Sequence, residues 1–98
     1  MKQISLSELQ EWQHQRKNFC LIDVREKHEH DVFNIGGELI PFGEIISQSE
    51  NIPKDVPVVL YCRKGIRSQI AIQRLEDKFG FTNLINLRSG IGDGNTEE

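Results

Sequence analysis

The most informative segment of the sequence for the fold runs from Val56 to Gly80 and reads VPVVLYCRKGIRSQIAIQRLEDKFG. Its first part, VPVVLYC at 56–62, concentrates valine, leucine and tyrosine in a short run with a proline at its start, which predicts a central strand. Residues 68–80 carry apolar side chains at i, i+3 and i+7, and Gly80 follows them in the position of a C-cap glycine. The stretch therefore predicts a strand, a short basic turn and a helix.

Weaker patterns on either side predict the other elements. KQIS at 2–5 fits a short strand, and Ser7 is then predicted to be the N-cap of a helix. FCLIDV at 19–24 is a largely apolar run that suits a strand buried on both faces, and the polar EKHEHD after it is predicted to be a loop or a single turn.

The remaining patterns complete the alternation of strands and helices. ELIPF at 38–42 is a weak strand candidate, and GEIISQSE at 43–50 has short helical periodicity. NLINL at 83–87 predicts a last strand. Strands separated by helices imply βαβ units. We therefore expect an α/β fold with about five strands in a mainly parallel sheet, flanked by helices on both faces.

The composition is typical of one small globular domain. The chain has 98 residues and a formal net charge of −3, with 37% hydrophobic and 28% charged residues. No stretch reaches the roughly 18 consecutive apolar residues of a membrane helix, and the start MKQISLSELQ lacks the apolar region of a secretory signal. We expect a cytosolic protein without a membrane partner. The acidic balance argues against general binding of nucleic acid.

Two cysteines are too few for a disulfide framework, and no further cysteine completes a metal site. Cys20 lies between Phe19 and Leu21 inside a predicted strand, and we assign it to core packing. Cys62 differs because it ends the strongest strand, and ligands of parallel sheets bind at the carboxyl ends of the strands.

The loop after Cys62 predicts an anion site with a reactive thiol. Cys62 faces the start of a helix, where unpaired N–H groups and the macrodipole favour negative charge. Arg63, Lys64 and Arg67 add positive charge, and Gly65 permits the curvature that turns successive N–H groups inward. The helix start and the nearby positive charges both lower the pKa of a thiol. The alternative is that Cys62 is a small buried hydrophobic residue that closes the strand.

Other polar residues have more than one interpretation. Asp23 ends an internal strand and is expected to be paired, because an unpaired buried carboxylate is costly. Arg25 is a candidate partner, and it either forms that ion pair and braces the loop or contacts the anion directly. The histidines at 14, 28 and 30 lie in polar segments and are expected to be solvated, since activation of the thiol needs no general base.

Three motifs, in this order, resemble those of the rhodanese-like sulfurtransferase family in its single-domain form. They are LIDVRE at 21–26, VVLYCRKGIRS at 58–68 and GFTNLINLRSGI at 80–91. The similarity covers residues 3–91, so we expect a rhodanese-like domain over 1–91 and a disordered tail over 92–98. Two positions depart from the family pattern, because Asn34 replaces a usual histidine and Ser89 replaces a usual glycine.

The resemblance implies a two-step transfer of sulfur through Cys62. The thiolate attacks a sulfane sulfur, the rest of the donor leaves as an anion, and an acceptor later removes the outer sulfur of the persulfide. The implied anion-binding loop consists of Arg63, Lys64, Gly65, Ile66, Arg67 and Ser68, of which Ser68 is also predicted to cap the following helix. Arg67 is predicted to bind the donor or the acceptor. Asp23 and Arg25 are candidates for a second layer of residues around this loop.

Arg63 and Lys64 stand where thiosulfate-using members hold the donor's sulfonate, which favours thiosulfate over mercaptopyruvate. Neither a metal nor an organic cofactor is implied. The expected partners are a small-molecule sulfur donor and, as acceptor, cyanide, a thiol or a sulfur-carrier protein. ELIPFGEI at 38–45 resembles rhodanese domains appended to the adenylating enzymes of sulfur-carrier systems, which favours a role as a sulfur relay.

Two other functions remain open. A phosphatase with the same kind of nest needs an arginine six residues after its cysteine, whereas Arg67 comes five residues after Cys62 and Ser68 takes the sixth position. A non-catalytic binding module is typical of rhodanese-like domains that have lost the cysteine, and here Cys62 is present. The same fold can host any of these chemistries.

Overall fold

The computed structural model describes residues 1–92. The strands are β1 Gln3–Ile4, β2 Cys20–Asp23, β3 Glu38–Leu39, β4 Val58–Tyr61 and β5 Leu84–Leu87. The helices are α1 Leu6–His14, α2 Lys27–Val32 and α3 Ile66–Phe79, and two short 3-10 helices span Phe42–Glu44 and Ser49–Asn51. All five predicted strands are confirmed. The predicted tail lies outside the described residues except for Gly92.

The strands form one parallel sheet in the order β1-β5-β4-β2-β3. The predicted central position of β4 is confirmed, and all four of its residues are buried. In the register of the sheet, Val59 lies beside Leu21 of β2 and Ile85 of β5. Since all strands run the same way, the carboxyl ends of β2, β4 and β5 meet at one edge of the sheet.

Helices cover both faces of the sheet, as the sequence predicts. Alternate residues of a strand point to opposite faces, so Val58 and Leu60 pack with Ile72 and Leu75 of α3 in one core cluster. On the opposite face, Val59 and its neighbours pack with Leu9 and Trp12 of α1.

The prediction that Ser7 caps α1 is wrong, because Ser5 is the N-cap. The Ser5 hydroxyl accepts from the N–H of Glu8 at 3.1 Å, and the Glu8 carboxylate accepts from the N–H of Ser5 at 2.7 Å. This reciprocal capping box satisfies two backbone donors at the start of the helix.

The prediction of a loop or single turn over EKHEHD is also wrong, because residues 27–32 form helix α2. The N–H of Glu26 donates to the Glu29 carboxylate at 2.8 Å, and Lys27 pairs with Asp31 at 2.7 Å one turn along. These local contacts stabilise a helix that has no buried residue of its own. Over residues 1–92, each helix is too short or too polar to cross a bilayer.

Candidate active site

Cys62 follows the last residue of β4 directly and is only 1% exposed. The chain then reverses through Gly65, which is the N-cap of α3 and has φ of 89°. A side chain at that φ is strained, and a Cβ there would lie 3.1 Å from the backbone nitrogen of Ser89. The glycine therefore lets α3 begin within a few residues of Cys62.

This turn surrounds the Cys62 sulfur with donors. The Gly65 N–H donates to Sγ at 3.0 Å and the Ser68 N–H at 3.4 Å, while the Ser68 hydroxyl lies 3.4 Å from Sγ. Burial raises the pKa of the Cys62 thiol, but hydrogen bonds from Ser68 and from the N–H groups of Gly65 and Lys64 outweigh it and leave the pKa below its ordinary value. The site favours a thiolate.

The prediction that Ser68 caps α3 is wrong, because Gly65 is the N-cap and the helix begins at Ile66. Ser68 is fully buried instead, and its hydroxyl donates to Asn86 Oδ1 at 2.5 Å. The Asn86 amide nitrogen donates in turn to Gln3 Oε1 at 3.2 Å and to the Gly65 carbonyl at 3.4 Å. Asn86 was not among the predicted site residues, although a polar residue inside the apolar run LINL is a visible signal in the sequence.

Asp23, at the end of β2, is fully buried and paired. Its carboxylate accepts from Arg25 Nε at 3.0 Å and Nη2 at 2.8 Å, and Arg25 also donates to the Phe33 carbonyl at 2.5 Å. His30 Nδ1 lies 2.8 Å from the same carboxylate, so the prediction that His30 is solvated is wrong. Burial raises the pKa of Asp23, and the bonds from Arg25 and His30 more than compensate and lower it. Of the two interpretations of Arg25, the structure shows the ion pair.

Arg67 is bound to a residue that the sequence analysis did not select. Its Nη1 and Nη2 donate to the two carboxylate oxygens of Glu29 at 2.8 and 3.0 Å. These bonds lower the pKa of Glu29 to about 2 against the opposing effect of burial. The pair fastens α2 to the first turn of α3, so α2 forms one wall of the site.

Two cavities open at this edge of the sheet. The Cys62 cavity has a volume of about 220 Å³ and is lined by Cys62, Arg63, Lys64, Ile66 and Arg67. The α2 cavity has a volume of about 390 Å³ and is lined by Arg25, His28, Glu29, Val32, Phe33, Arg63 and Gly92. A third cavity, of about 480 Å³, lies at the opposite edge, at the starts of β4 and β5, and is remote from Cys62.

The segment after β5 supports the loop from behind. The N–H of Ile91 donates to the Cys62 carbonyl at 3.0 Å, and the N–H of Gly92 donates to the Arg63 carbonyl at 2.8 Å. Ser89 and Gly90 both have positive φ, of 69° and 66°. The positive φ of Ser89 is a conformation in which glycine is favoured.

Together these features define a class of protein: a parallel α/β domain with a cysteine at the end of its central strand, whose sulfur accepts hydrogen bonds from backbone N–H groups at the start of a helix. The comparisons with known proteins give the family within that class. The family model described as Rhodanese-like domain matches residues 5–96. The chain belongs to the rhodanese-like domain family.

Individual relatives agree with this assignment. The chain is 37% identical over 92 residues to the probable adenylyltransferase/sulfurtransferase MoeZ of Mycobacterium tuberculosis, covering 90% of this chain and 23% of that protein. It is 34% identical over 85 residues to the adenylyltransferase and sulfurtransferase UBA4 of Candida glabrata, covering 76% of this chain and 20% of that one. This chain thus spans about a fifth of the length of these two relatives.

A solved rhodanese-like domain protein from Staphylococcus aureus has the same fold. It superposes with a TM-score of 0.87 at 26% identity, covering 99% of this chain and 94% of that one. The five-stranded parallel sheet and its flanking helices are therefore those of the family.

Proposed function

We propose that this chain is a sulfurtransferase that carries sulfane sulfur as a persulfide on Cys62. The observation that carries the proposal is the set of donors around Sγ. Backbone N–H groups of Gly65 and Ser68 point at a buried sulfur at the start of α3, where the helix dipole also favours negative charge. Such preorganised donors stabilise a thiolate and, equally, the charge on a persulfide.

The proposed loading step uses thiosulfate. The Cys62 thiolate attacks the outer, sulfane sulfur of thiosulfate, the sulfur–sulfur bond of the donor breaks, and sulfite leaves with the bonding electron pair. Cys62 then carries a persulfide anion, and the total charge is unchanged. Arg63 and Lys64 line the cavity at Sγ and are assigned to the sulfonate oxygens of the donor. Arg67 is not assigned to the sulfonate oxygens in this proposal. Its guanidinium is bound to Glu29 and fastens α2 to the first turn of α3.

In the second step a thiophilic acceptor, either cyanide, a thiol or a sulfur-carrier protein, attacks the outer sulfur. The Cys62–sulfur bond breaks and Cys62 leaves as the thiolate. A role as a sulfur relay is supported by the relatives whose names combine adenylyltransferase with sulfurtransferase. The step needs no proton transfer when the acceptor is itself an anion, which agrees with a site built from donors rather than from a general base.

Intact-protein mass spectrometry of reduced protein tests the proposal. After incubation with thiosulfate we expect an increase equal to one sulfur atom, which cyanide removes. The adduct should be absent from Cys62→Ala and present in Cys20→Ala, which is the matched control because Cys20 is also a free thiol. An adduct that persists in Cys62→Ala contradicts the site. Absence of an adduct with thiosulfate, mercaptopyruvate and a cysteine desulfurase would favour a non-catalytic binding module.

A further inference from the structure

Asn86 is a buried amide in β5, and the proposed sulfur transfer assigns it no role. It is 1% exposed and lies in the apolar run LINL. A buried amide is costly unless it is hydrogen-bonded. The Asn86 side chain is bonded to both residues whose N–H groups donate to Cys62 Sγ, through its nitrogen to the Gly65 carbonyl and through its oxygen to the Ser68 hydroxyl. Asn86 is therefore placed to act on the sulfur through these two residues.

The backbone fixes the orientation of the Asn86 amide. A carbonyl oxygen can only accept a hydrogen bond, so the Gly65 carbonyl, 3.4 Å away, requires the amide nitrogen on its side. The second N–H of that nitrogen donates to Gln3 Oε1 at 3.2 Å. The amide oxygen must then face Ser68, where it can only accept.

This orientation commits the proton of the Ser68 hydroxyl. Ser68 Oγ and Asn86 Oδ1 are 2.5 Å apart, and two oxygens at that separation need a proton between them, because their lone pairs otherwise repel. Ser68 supplies that proton. Cys62 Sγ lies 3.4 Å from the same hydroxyl and faces the lone pairs of its oxygen, which a thiolate cannot use. The donors left to the sulfur are backbone N–H groups.

We propose that Asn86 is a positioning residue that holds the Ser68 proton away from Cys62 Sγ and thereby keeps the Cys62 thiolate strongly nucleophilic. The inference rests on the proposed function, since attack by this thiolate is its loading step. Each hydrogen bond that a thiolate accepts lowers its basicity and its nucleophilicity. A thiol that is roughly tenfold more acidic attacks sulfur about threefold more slowly as its thiolate, and it is a better leaving group. Asn86 thus favours loading of the sulfur over its discharge.

The test variant is Asn86→Leu, which keeps the branched shape of the side chain and removes its hydrogen bonds. The Ser68 hydroxyl is then released to donate to the sulfur. The substitution leaves in place the charged groups around the Cys62 cavity, which are Arg63, Lys64 and Arg67 of the loop and Glu29 of α2. Asn83→Leu is the matched control. The Asn83 amide nitrogen also donates to two acceptors, the Pro53 and Val56 carbonyls, but it lies at the opposite edge of the sheet.

Three rates are measured on the full chain: alkylation of Cys62 by iodoacetamide against pH, loading by thiosulfate at a pH where the thiol is fully ionised, and discharge of the loaded protein to cyanide. We expect Asn86→Leu to shift the alkylation profile to lower pH, to load about threefold more slowly and to discharge faster. Asn83→Leu should match the unmodified protein in all three. In a Ser68→Ala background, Asn86→Leu should lose its effect on the profile, because the proton is gone.

A merely structural role predicts a different pattern, since a loosened site would slow loading and discharge alike. An alkylation profile that is unchanged or moves to higher pH in Asn86→Leu would overturn the inference, and so would a shift that persists without the Ser68 hydroxyl. Asn86→Ala removes the same oxygen without adding bulk and gives the same readout if Asn86→Leu does not fold. Alkylation needs no sulfur transfer. Failure of the unmodified protein to load would therefore contradict the proposed function alone.

Discussion

Replacement of Glu29 by Gln removes the charge that holds Arg67 while it keeps the size of the side chain. Glu29 binds both terminal nitrogens of the Arg67 guanidinium, and it also accepts from the N–H of Glu26 at the start of α2. A glutamine oxygen can still accept one bond, but it has no charge and cannot form the two-oxygen fork. We expect Glu29→Gln to destabilise the protein and loosen α2 from the active-site loop.

The magnitude follows from the pKa of Glu29, which falls from 4.5 to about 2 in the folded protein. At 1.36 kcal/mol per pH unit this corresponds to roughly 3.4 kcal/mol as an upper bound. The side chains of Arg67 and Glu29 are 33% and 22% exposed, so solvent screens the pair. The bond to Glu26 also persists in part. We therefore expect a loss of about 1–2 kcal/mol.

The expected effect also depends on pH in a defined direction. Because the folded-state pKa of Glu29 is lowered, its contribution is complete above pH 4.5 and is lost as the pH falls from 4.5 toward 2. The difference in unfolding free energy between the unmodified protein and Glu29→Gln should thus be largest near pH 7. It should shrink by roughly two fifths near pH 3.5.

Urea denaturation of the unmodified protein, Glu29→Gln, Arg67→Met and the double variant measures this directly. The coupling energy of the cycle should be about 1–2 kcal/mol near neutral pH. A coupling energy within about 0.3 kcal/mol of zero, or one that grows as the pH falls, would contradict a stabilising Glu29–Arg67 ion pair.

Two further predictions concern Cys62. Gly90→Ala should destabilise the protein by roughly 1–3 kcal/mol and impair sulfur loading, because at φ of 66° its Cβ would clash with the Arg63 carbonyl and lie 2.5 Å from the Cys62 carbonyl oxygen. Gly43→Ala, whose Cβ meets nothing within 4 Å, is the control for both readouts, and equal effects would contradict the clash. Alkylation by iodoacetamide can be followed at each cysteine by mass spectrometry. As the pH is raised, Cys62 should begin to react at a lower pH than Cys20, because the thiol pKa of Cys62 is lowered and that of Cys20 is raised mainly by burial. The reverse order would contradict a thiolate site.

The sequence predicts those parts of the fold whose signals are local. β4 and α3 were predictable because a dense apolar run and a regular helical spacing each reflect burial against the sheet. The cap of α1 was harder, because Ser5 has glutamate three residues later and Ser7 has glutamine three residues later. Both serines fit the capping-box pattern, and only the structure distinguishes them.

Helix α2 could not be predicted in the same way. KHEHDV has no apolar face, since the helix buries no residue, and a hydrophobic periodicity therefore never forms. Its tertiary anchors are polar and distant in sequence: Glu29 pairs with Arg67, which lies 38 residues later, and His30 contacts the buried carboxylate of Asp23. A single sequence carries no record of such pairs. For the same reason the bonds between Arg67 and Glu29 of α2 could not be predicted, although Arg67 itself was predicted to lie at the site.

The position of Cys62 was predictable because the constant donors to its sulfur belong to the backbone. The buried hydroxyl of Ser68 shows the difference between a backbone donor and a side-chain donor. That hydroxyl has one proton and two neighbours, Cys62 Sγ at 3.4 Å and Asn86 Oδ1 at 2.5 Å. The Asn86 amide nitrogen is already committed to two acceptors, so its oxygen faces Ser68 and competes for the proton. The N–H groups of Gly65 and Ser68 can only donate, and they face the sulfur whichever way the hydroxyl turns. The dependable stabilisation of a thiolate therefore comes from the backbone of a strand, a glycine turn and a helix start, which is the part of the site that residues 56–80 encode most directly.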